Sequence, residues 1–133
     1  MSKTYVIAEI GINHNGSMDL AKELIKGAYE SGCDAVKFQK RTIEEVYTES
    51  DLDRFRESPW GTTNREQKEG LEFNIEQYKD LFSYAKSFGL DFIVSCWDLS
   101  SVDLIEENLQ VDYHKVASAL AADREFLQKL NST

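Results

Sequence analysis

Apolar and polar residues alternate along the chain in four similar blocks, in which a short apolar run is followed by an amphipathic stretch. The apolar runs are rich in β-branched and aromatic residues, as strands are, and they predict four strands at 5–10, 34–39, 90–96 and 111–117. The amphipathic stretches repeat apolar residues at helical spacing. They predict four helices, from Ser17 to Gly32, from Asn74 to Gly89, from Ser100 or Ser101 to Leu109, and from Asp123 to about Leu130.

The starts of two helices are marked by capping residues. Ser17 is a predicted N-cap, and Asn74 is predicted to open a capping box. In the first helix Leu20, Leu24 and Ala28 recur at four-residue spacing. This spacing predicts that they form the buried face of that helix.

Residues 40–73 interrupt the regular alternation. The interval contains Pro59 and many charged residues and has no clear period. It is predicted to be a long polar insertion between the second strand and the second helix.

Strands and helices that alternate in this way predict an α/β fold with a parallel sheet, because parallel strands need a long crossover connection that is usually a helix. Two architectures compete: a doubly wound open sheet and part of a TIM-type (βα) barrel. A complete barrel has eight βα units in about 250 residues. A chain of 133 residues supplies about four units, which predicts half of a barrel.

Composition narrows the class of protein. The chain has 15 Lys and Arg against 24 Asp and Glu, a formal net charge of −9, and we expect no nucleic-acid partner because such domains present a basic face. No apolar stretch reaches the ~18–20 residues that cross a bilayer, so we expect no membrane partner and a cytoplasmic protein. Cys33 and Cys96 are too few for a disulfide framework and are expected to be small buried hydrophobic residues.

Polar residues interrupt or follow every predicted strand, near the end where ligands bind in both architectures. Lys37 and Lys115 lie inside otherwise apolar strands, where an ammonium group needs a partner or an anion. They are therefore candidate ligands for a phosphate or a carboxylate, although each could instead form a structural ion pair with Glu9 or another carboxylate. Glu9, in the first strand, must itself pair or titrate. The other strand-end residues are Asn13, His14, Asn15, Gln39, Ser95, Trp97, Asp98 and Ser118.

The loop residues and the histidines could have structural roles instead of binding a ligand. Asn13 and its neighbours could serve only as turn formers, and His14 could pack within its loop. His114 is one position from Lys115 and therefore on the opposite face of its strand, where it is expected to point toward the helices. The two histidines have no metal-ligand spacing, so neither is predicted to bind a metal.

Four segments resemble successive motifs of the sialic acid synthase (N-acetylneuraminate synthase) family. They are AEIGINHNGS at 8–17, DAVKFQ at 34–39, SCWD at 95–98 and YHKVAS at 113–118. The resemblance runs from about residue 4 to the end of the chain. It implies that 1–133 is the N-terminal part of a synthase-like (βα)8 barrel.

The resemblance implies an enzyme that condenses phosphoenolpyruvate with an N-acetylated amino sugar, of the N-acetylmannosamine type, to form a nonulosonic acid and release phosphate. It implies Glu9 as the catalytic group at the reacting carbon. It implies Lys37 and Gln39 as substrate ligands, and Lys115 and Ser118 as ligands of the phosphate. Further candidates for substrate contacts are Asn13, His14 and Asn64.

The resemblance further implies a divalent metal, Mn²⁺ or Mg²⁺, whose ligands are expected outside this chain. We also expect a homo-oligomer, a dimer, because an exposed edge of a parallel sheet favours a partner. The 133-residue chain is therefore expected to be an incomplete portion of the enzyme and inactive by itself. The alternative is a non-catalytic half-barrel that binds phosphate or phosphoenolpyruvate and assembles with another chain.

Overall fold

A computed structural model describes residues 3–133. One sheet contains four parallel strands, β1 (Ile7–Gly11), β2 (Ala35–Lys40), β5 (Asp91–Cys96) and β6 (Tyr113–His114), and a separate antiparallel hairpin contains β3 (Phe55–Ser58) and β4 (Gly61–Thr63). The helices are α1 (Met18–Glu30), α2 (Ile43–Val46), α3 (Glu49–Leu52), α4 (Asn64–Leu71), α5 (Ile75–Ser87), α6 (Leu99–Asn108) and α7 (Arg124–Asn131). No helix in this part of the chain is both long enough and apolar enough to cross a membrane.

The two faces of the parallel sheet have different surroundings. On one face, buried residues that include Val36, Phe38, Phe92 and Val94 pack in a single core with residues of α1, α5 and α6. The other face carries Lys37 and borders an open cavity. The strand order β1-β2-β5-β6 follows the chain, whereas a doubly wound sheet reverses its order and has helices on both faces. The fold is therefore α/β with a parallel sheet, and its arrangement favours the barrel type over the doubly wound type.

Local capping signals placed the starts of α1 and α5 correctly. The Ser17 hydroxyl accepts a hydrogen bond from the Leu20 N–H at 3.2 Å. Asn74 and Gln77 form the predicted capping box, in which each side chain accepts a backbone N–H of the other residue at 2.9 Å. These bonds satisfy N–H groups that have no partner within the first helical turn.

The predicted start of α6 at Ser100 or Ser101 was wrong. The N-cap is Asp98, whose carboxylate accepts the Ser101 N–H at 2.7 Å and the Ser101 hydroxyl at 2.8 Å. The same carboxylate accepts the Thr42 N–H at 2.7 Å. A carboxylate accepts stronger hydrogen bonds than a serine hydroxyl does. Asp98 therefore caps the helix, and α6 begins before Ser100.

The predicted buried face of α1 was also partly wrong. Ala28 is buried, but the row of residues that faces the core continues through Ala21 and Ile25, and Leu20 and Leu24 are exposed. The two leucines lie on an adjacent side of the helix, where Leu24 borders a cavity beside β1. Four-residue spacing alone did not distinguish these two neighbouring rows.

The fourth strand is much shorter than predicted. Only Tyr113 and His114 of the interval 111–117 form β6. Within residues 3–133, β6 pairs with β5 alone, so its backbone has partners on one side only. After the Lys115 N–H donates to the Val94 carbonyl at 3.2 Å, the chain turns into a 3-10 helix at Ser118–Leu120.

The interval 40–73 is more ordered than its polar composition suggested. It contains α2, α3, the β3–β4 hairpin and α4. The helices α2 and α3 have four residues each, which is too short to show a helical period. The longer α4 begins with a capping box between Thr63 and Glu66. We call 40–73 the insertion below.

Both cysteines are free thiols, as their number suggested. Cys33 is partly buried. Cys96 is buried in the core, and this burial raises the pKa of its thiol to about 12. Cys96 is therefore a neutral hydrophobic residue rather than a nucleophile.

Candidate active site

Side chains of the open face are arranged in levels between the amino and carboxyl ends of the strands. The pairing register places Glu9 beside Lys37, and continues across the sheet to Ile93 and Tyr113. Gln39 is two residues beyond Lys37 and therefore on the same face, one level nearer the carboxyl ends of the strands. This is the end at which α/β enzymes bind their substrates.

Glu9, Lys37 and Lys115 line one cavity on this face, with a volume of about 480 Å³. Three different strands or strand ends supply them. The structure therefore brings together the three charged residues that the sequence pattern singled out. The rest of the wall consists of Tyr5, Ile7, Ile93, Tyr113, His114 and Val116.

Lys37 is the most deeply buried charge in this cavity. Its side chain is 3% exposed, and its ammonium lies 3.1 Å from a carboxylate oxygen of Glu9, whose side chain is 64% exposed. Lys37 therefore forms the ion pair with Glu9 that was the structural alternative to binding a ligand. An ammonium has three donors, so one carboxylate oxygen leaves capacity for a ligand in the cavity.

Lys115 has different surroundings. It is exposed, and no carboxylate within residues 3–133 lies within ion-pair distance of its ammonium. The cavity thus has one buried, paired ammonium and one solvated ammonium. Such a pair is suited to an anionic group that enters from solvent.

Five other candidate residues do not line the cavity: Gln39, Asn13, His14, Asn64 and Ser118. Ser118 is exposed at the start of the 3-10 helix. The Asn13 side chain donates to the Ile10 carbonyl at 3.0 Å, which is a turn-forming contact. Asn64 is the first residue of α4, and its side chain donates to the Asp51 carbonyl at 3.0 Å. Substrate contacts by these residues stay predictions.

The structure favours the packing role for His14. Its ring is 2% exposed and stacks on Phe73 with a centroid distance of 4.2 Å. Its Nδ1 accepts the Gly16 N–H at 3.0 Å. Burial lowers the pKa of His14 to about 4, against the opposing effect of a hydrogen bond with the Gly11 backbone. His14 is therefore a neutral ring that holds the β1–α1 loop.

The side chains of residues 3–133 do not fit a divalent metal site. Within residues 3–133, no three His, Cys, Asp or Glu side chains lie close enough together to hold an ion. His14 is buried in its loop, and His114 points toward the helices, as predicted, where its Nε2 bonds to Glu106 of α6.

Sequence reasoning missed a polar cluster at the carboxyl end of β2. The Lys40 ammonium lies 3.2 Å from the Glu72 carboxylate, which also accepts the Arg41 N–H at 3.4 Å. Burial raises the pKa of Glu72, while the two cations act against that shift. The Arg41 guanidinium lies 4.8 Å from the ring centroid of Trp97. The signal in the sequence was the Lys40-Arg41 pair directly after the strand, which the insertion boundary at residue 40 obscured.

The profile of the NeuB family matches residues 24–133, which is most of the chain. The chain belongs to the NeuB family. This result confirms the family resemblance, and three of the four motifs lie within the matched residues.

Relatives of this NeuB chain include two synthases. The chain is 41% identical over 127 residues to N-acetylneuraminate-9-phosphate synthase of Mus musculus. The aligned residues make up 94% of this chain and 35% of the mouse protein. The chain is 34% identical over 137 residues to N,N'-diacetyllegionaminic acid synthase of Campylobacter jejuni. The aligned residues make up 98% of this chain and 40% of the bacterial protein. This NeuB chain therefore spans between about a third and two fifths of their length.

A solved structure shows the same fold. The N-acetylneuraminic acid synthetase of Leptospira borgpetersenii, in complex with citrate, matches with a TM-score of 0.79 and 24% identity, over 96% of the NeuB chain and 41% of the synthetase. The parallel sheet and its helices are thus an arrangement that a longer synthase also has.

Proposed function

We propose that this chain is the phosphoenolpyruvate-binding portion of a synthase that condenses phosphoenolpyruvate with an N-acetylated amino sugar to a nonulosonic acid. The observation that carries the proposal is the single cavity lined by Glu9, Lys37 and Lys115. The synthases named above support this class of product. The divalent metal implied by the family resemblance and the expected dimer belong to the same proposal, with metal ligands supplied from outside this chain.

The cavity suits the charge changes of this reaction. The enol carbon of phosphoenolpyruvate forms a bond with the aldehyde carbon of the sugar, water adds to the resulting oxocarbenium carbon, and the C–O bond to phosphate breaks. Lys37 and Lys115 would hold the anionic phosphate before and after that bond breaks. Glu9, 3.1 Å from the Lys37 ammonium, would lie near the reacting carbon, where a carboxylate can stabilise positive charge or accept a proton from the attacking water.

The second candidate is a non-catalytic half-barrel that binds phosphate or phosphoenolpyruvate and pairs with another chain. The open face favours it, because Tyr5, Ile7 and Tyr113 are exposed there and offer apolar surface to a partner. Both candidates place an anion between Lys37 and Lys115, so only an activity measurement separates them.

A fusion protein tests the catalytic proposal. Residues 1–133 are joined to the part of the mouse synthase that follows its matching region, which supplies the remainder of the barrel. We expect this fusion to release phosphate from phosphoenolpyruvate only when an N-acetylated amino sugar is present. A folded fusion without this activity would contradict the catalytic proposal and leave the second candidate.

The lysine assignment has its own test. We expect Lys37→Ala and Lys115→Ala each to weaken phosphoenolpyruvate binding by about tenfold or more, since hydrogen bonds to charged groups are the strong ones. Titration calorimetry with phosphoenolpyruvate measures the loss. Lys129→Ala is the matched control, because Lys129 pairs with Asp103 on the helices, away from the cavity. Unchanged affinity in both cavity variants would refute the assignment.

A further inference from the structure

We propose that Arg41 is a positioning residue that orients the side-chain amide of Gln39, so that Gln39 presents its NH₂ group as a hydrogen-bond donor to a substrate oxygen. The proposal rests on the function proposed above and on the substrate contact by Gln39 that the family resemblance implies. It adds the direction of that hydrogen bond and the residue that sets it.

Gln39 alone has no preferred direction of hydrogen bonding. Its amide has an oxygen that accepts and a nitrogen that donates, and the two ends have nearly the same shape. Arg41 removes this ambiguity, because one of its terminal nitrogens donates to the Gln39 Oε1. A guanidinium has donors only. The oxygen of the amide must therefore face Arg41, and the nitrogen must face away from it.

The opposite end of the amide lies against β1. A Cβ atom at Gly11 would be 3.3 Å from the Gln39 Nε2, which shows how closely the nitrogen approaches this glycine. Gly11 has a φ of +56°, a conformation that favours glycine. The amide of Gln39 is thus held between Arg41 and the strand that also carries Glu9.

Arg41 is itself held in place by two aromatic neighbours, Trp97 and Tyr47. Its guanidinium stacks over Trp97, its second terminal nitrogen donates to the Tyr47 hydroxyl, and its side chain is 10% exposed. Arginine suits this position because its planar fork can stack on a ring and donate in two directions at once, which the single ammonium of lysine cannot do.

This arrangement restricts the ligands that Gln39 can serve. With its oxygen turned toward Arg41, the Gln39 side chain directs its NH₂ group away from Arg41, where it can donate to a carboxylate, phosphate or carbonyl oxygen. A donor is also the polarity that an anion held by Lys37 and Lys115 requires. Arg41 acts through Gln39 and does not need to touch the substrate.

The first experiment observes the Gln39 amide directly. The side-chain NH₂ resonances of the ¹⁵N-labelled 133-residue chain are recorded with and without phosphoenolpyruvate, and the Gln39 pair is assigned by its loss in Gln39→Glu. We expect phosphoenolpyruvate to shift this pair in the unsubstituted chain. Arg41→Met, which keeps an unbranched side chain but has no donors, should move the pair in the free chain and reduce its response to the ligand.

A matched arginine controls for general effects of charge. Arg65 pairs with Glu44 and Glu49 in the insertion, so Arg65→Met should leave the Gln39 pair unchanged. If Arg41→Met leaves both the free spectrum and the response unchanged, the proposal is wrong. Arg41→Lys and Trp97→Phe provide milder substitutions if Arg41→Met loses the dispersed spectrum of a folded chain.

The second experiment is a double-mutant cycle in the fusion protein. Arg41→Met and Gln39→Leu should each raise the KM for one substrate by about tenfold or more. The double variant should be no worse than Gln39→Leu alone, since Arg41 acts through that residue. Additive losses would overturn the proposal. A fusion without any condensation would overturn the proposed function instead, and the NMR experiment would still decide the orientation of Gln39.

Discussion

His14 illustrates how burial determines the charge of a single side chain. The ring lies between Phe73 and Phe38, at centroid distances of 4.2 and 6.1 Å. An imidazole among aromatic rings loses the hydration that stabilises its cation. Its pKa is therefore lowered from 6.5 to about 4. Between these two pH values the unfolded chain binds more protons than the folded chain, so the free energy of unfolding decreases as the pH falls.

We expect this effect to be visible in unfolding by urea. The contribution of His14 is fully present above about pH 6.5 and is lost as the pH falls toward 4, by about 3 kcal/mol at most. His14→Gln should reduce this pH dependence, because glutamine does not titrate. His114→Gln, which keeps His14, is the control and should retain the loss. Equal pH dependence in His14→Gln and the unsubstituted chain would contradict the prediction.

Sequence reasoning found some of the site residues and missed others for a physical reason. Lys37 could be recognised from its neighbours in the sequence alone, because a charged residue inside an apolar strand is unusual. The link between Arg41 and Gln39 depends on Trp97, which is 56 positions from Arg41 along the chain. No local pattern reports a stack of this kind, because the partner reaches the site only after β2 and β5 have paired.

At the scale of elements, the insertion is joined to the β1–α1 loop by close packing around two glycines. A Cβ atom at Gly70 of α4 would lie 2.2 Å from the Trp60 ring. A Cβ atom at Gly16 would lie 2.1 Å from the Gly70 carbonyl oxygen. Trp60 therefore covers α4 where no side chain intervenes, and the loop packs against the same position. Phe73, which stacks on His14, completes this contact.

The packing predicts opposite effects for two helical glycines. Gly70→Ala should lower the free energy of unfolding by about 1–3 kcal/mol, because the methyl group displaces the Trp60 ring. Gly27→Ala is the matched control: Gly27 lies within α1 and has nothing within 4 Å of an added Cβ atom. It should be neutral or stabilise the chain by up to about 1 kcal/mol. Urea unfolding followed by Trp fluorescence measures both, and a Gly70→Ala variant as stable as Gly27→Ala would refute the packing argument.

Elements whose ends are set by contacts between residues near in sequence could be predicted, and elements set by distant contacts could not. The starts of α1 and α5 were predicted because Ser17 and Asn74 bond within three residues of themselves. The start of α6 was not, because Asp98 bonds to Thr42 as well as to its own helix. The β3–β4 hairpin was missed because its strands have four and three residues, which is at or below the shortest alternating pattern.

At the scale of the whole molecule, the open face of the sheet combines charge with exposed apolar surface. Tyr5, Ile7 and Tyr113 are between 42% and 57% exposed, and all three line the cavity of Lys37 and Lys115. Tyr5 and Tyr113 contact each other edge to face, with a centroid distance of 6.3 Å. An apolar group of this kind beside a parallel sheet is suited to association with further protein.

We expect the 133-residue chain to associate with itself in a concentration-dependent manner through this face. Tyr113→Ser should shift the sedimentation velocity distribution toward monomer, since it removes an aromatic ring from the contiguous surface. Phe55→Ser is the control: Phe55 is 78% exposed, but it lies on the β3–β4 hairpin. Association that depends on Phe55 and is unaffected by Tyr113→Ser would contradict the prediction.

The overall α/β alternation could be predicted because each strand and most helices carry their own pattern. The order of the strands within the sheet needed the structure, because the alternation alone fits both a barrel, whose strand order follows the chain, and a doubly wound sheet, whose order reverses. Val36 and Lys37 are adjacent in the chain and point to opposite faces of the sheet. Val36 packs in the core under the helices, and Lys37 lines the cavity on the open face.

The contact between the β1–α1 loop and the insertion has a consequence for local opening of the fold. The Gly16 amide proton is held by the His14 ring, and that ring is held by Phe73, so the proton can exchange with solvent only when Phe73 or the loop moves away. Loop amides normally exchange quickly, whereas those within a cooperative unit share one opening free energy. The Gly16 amide and the amides of α4 should therefore exchange together, as one unit that includes residues about 50 positions apart in the chain.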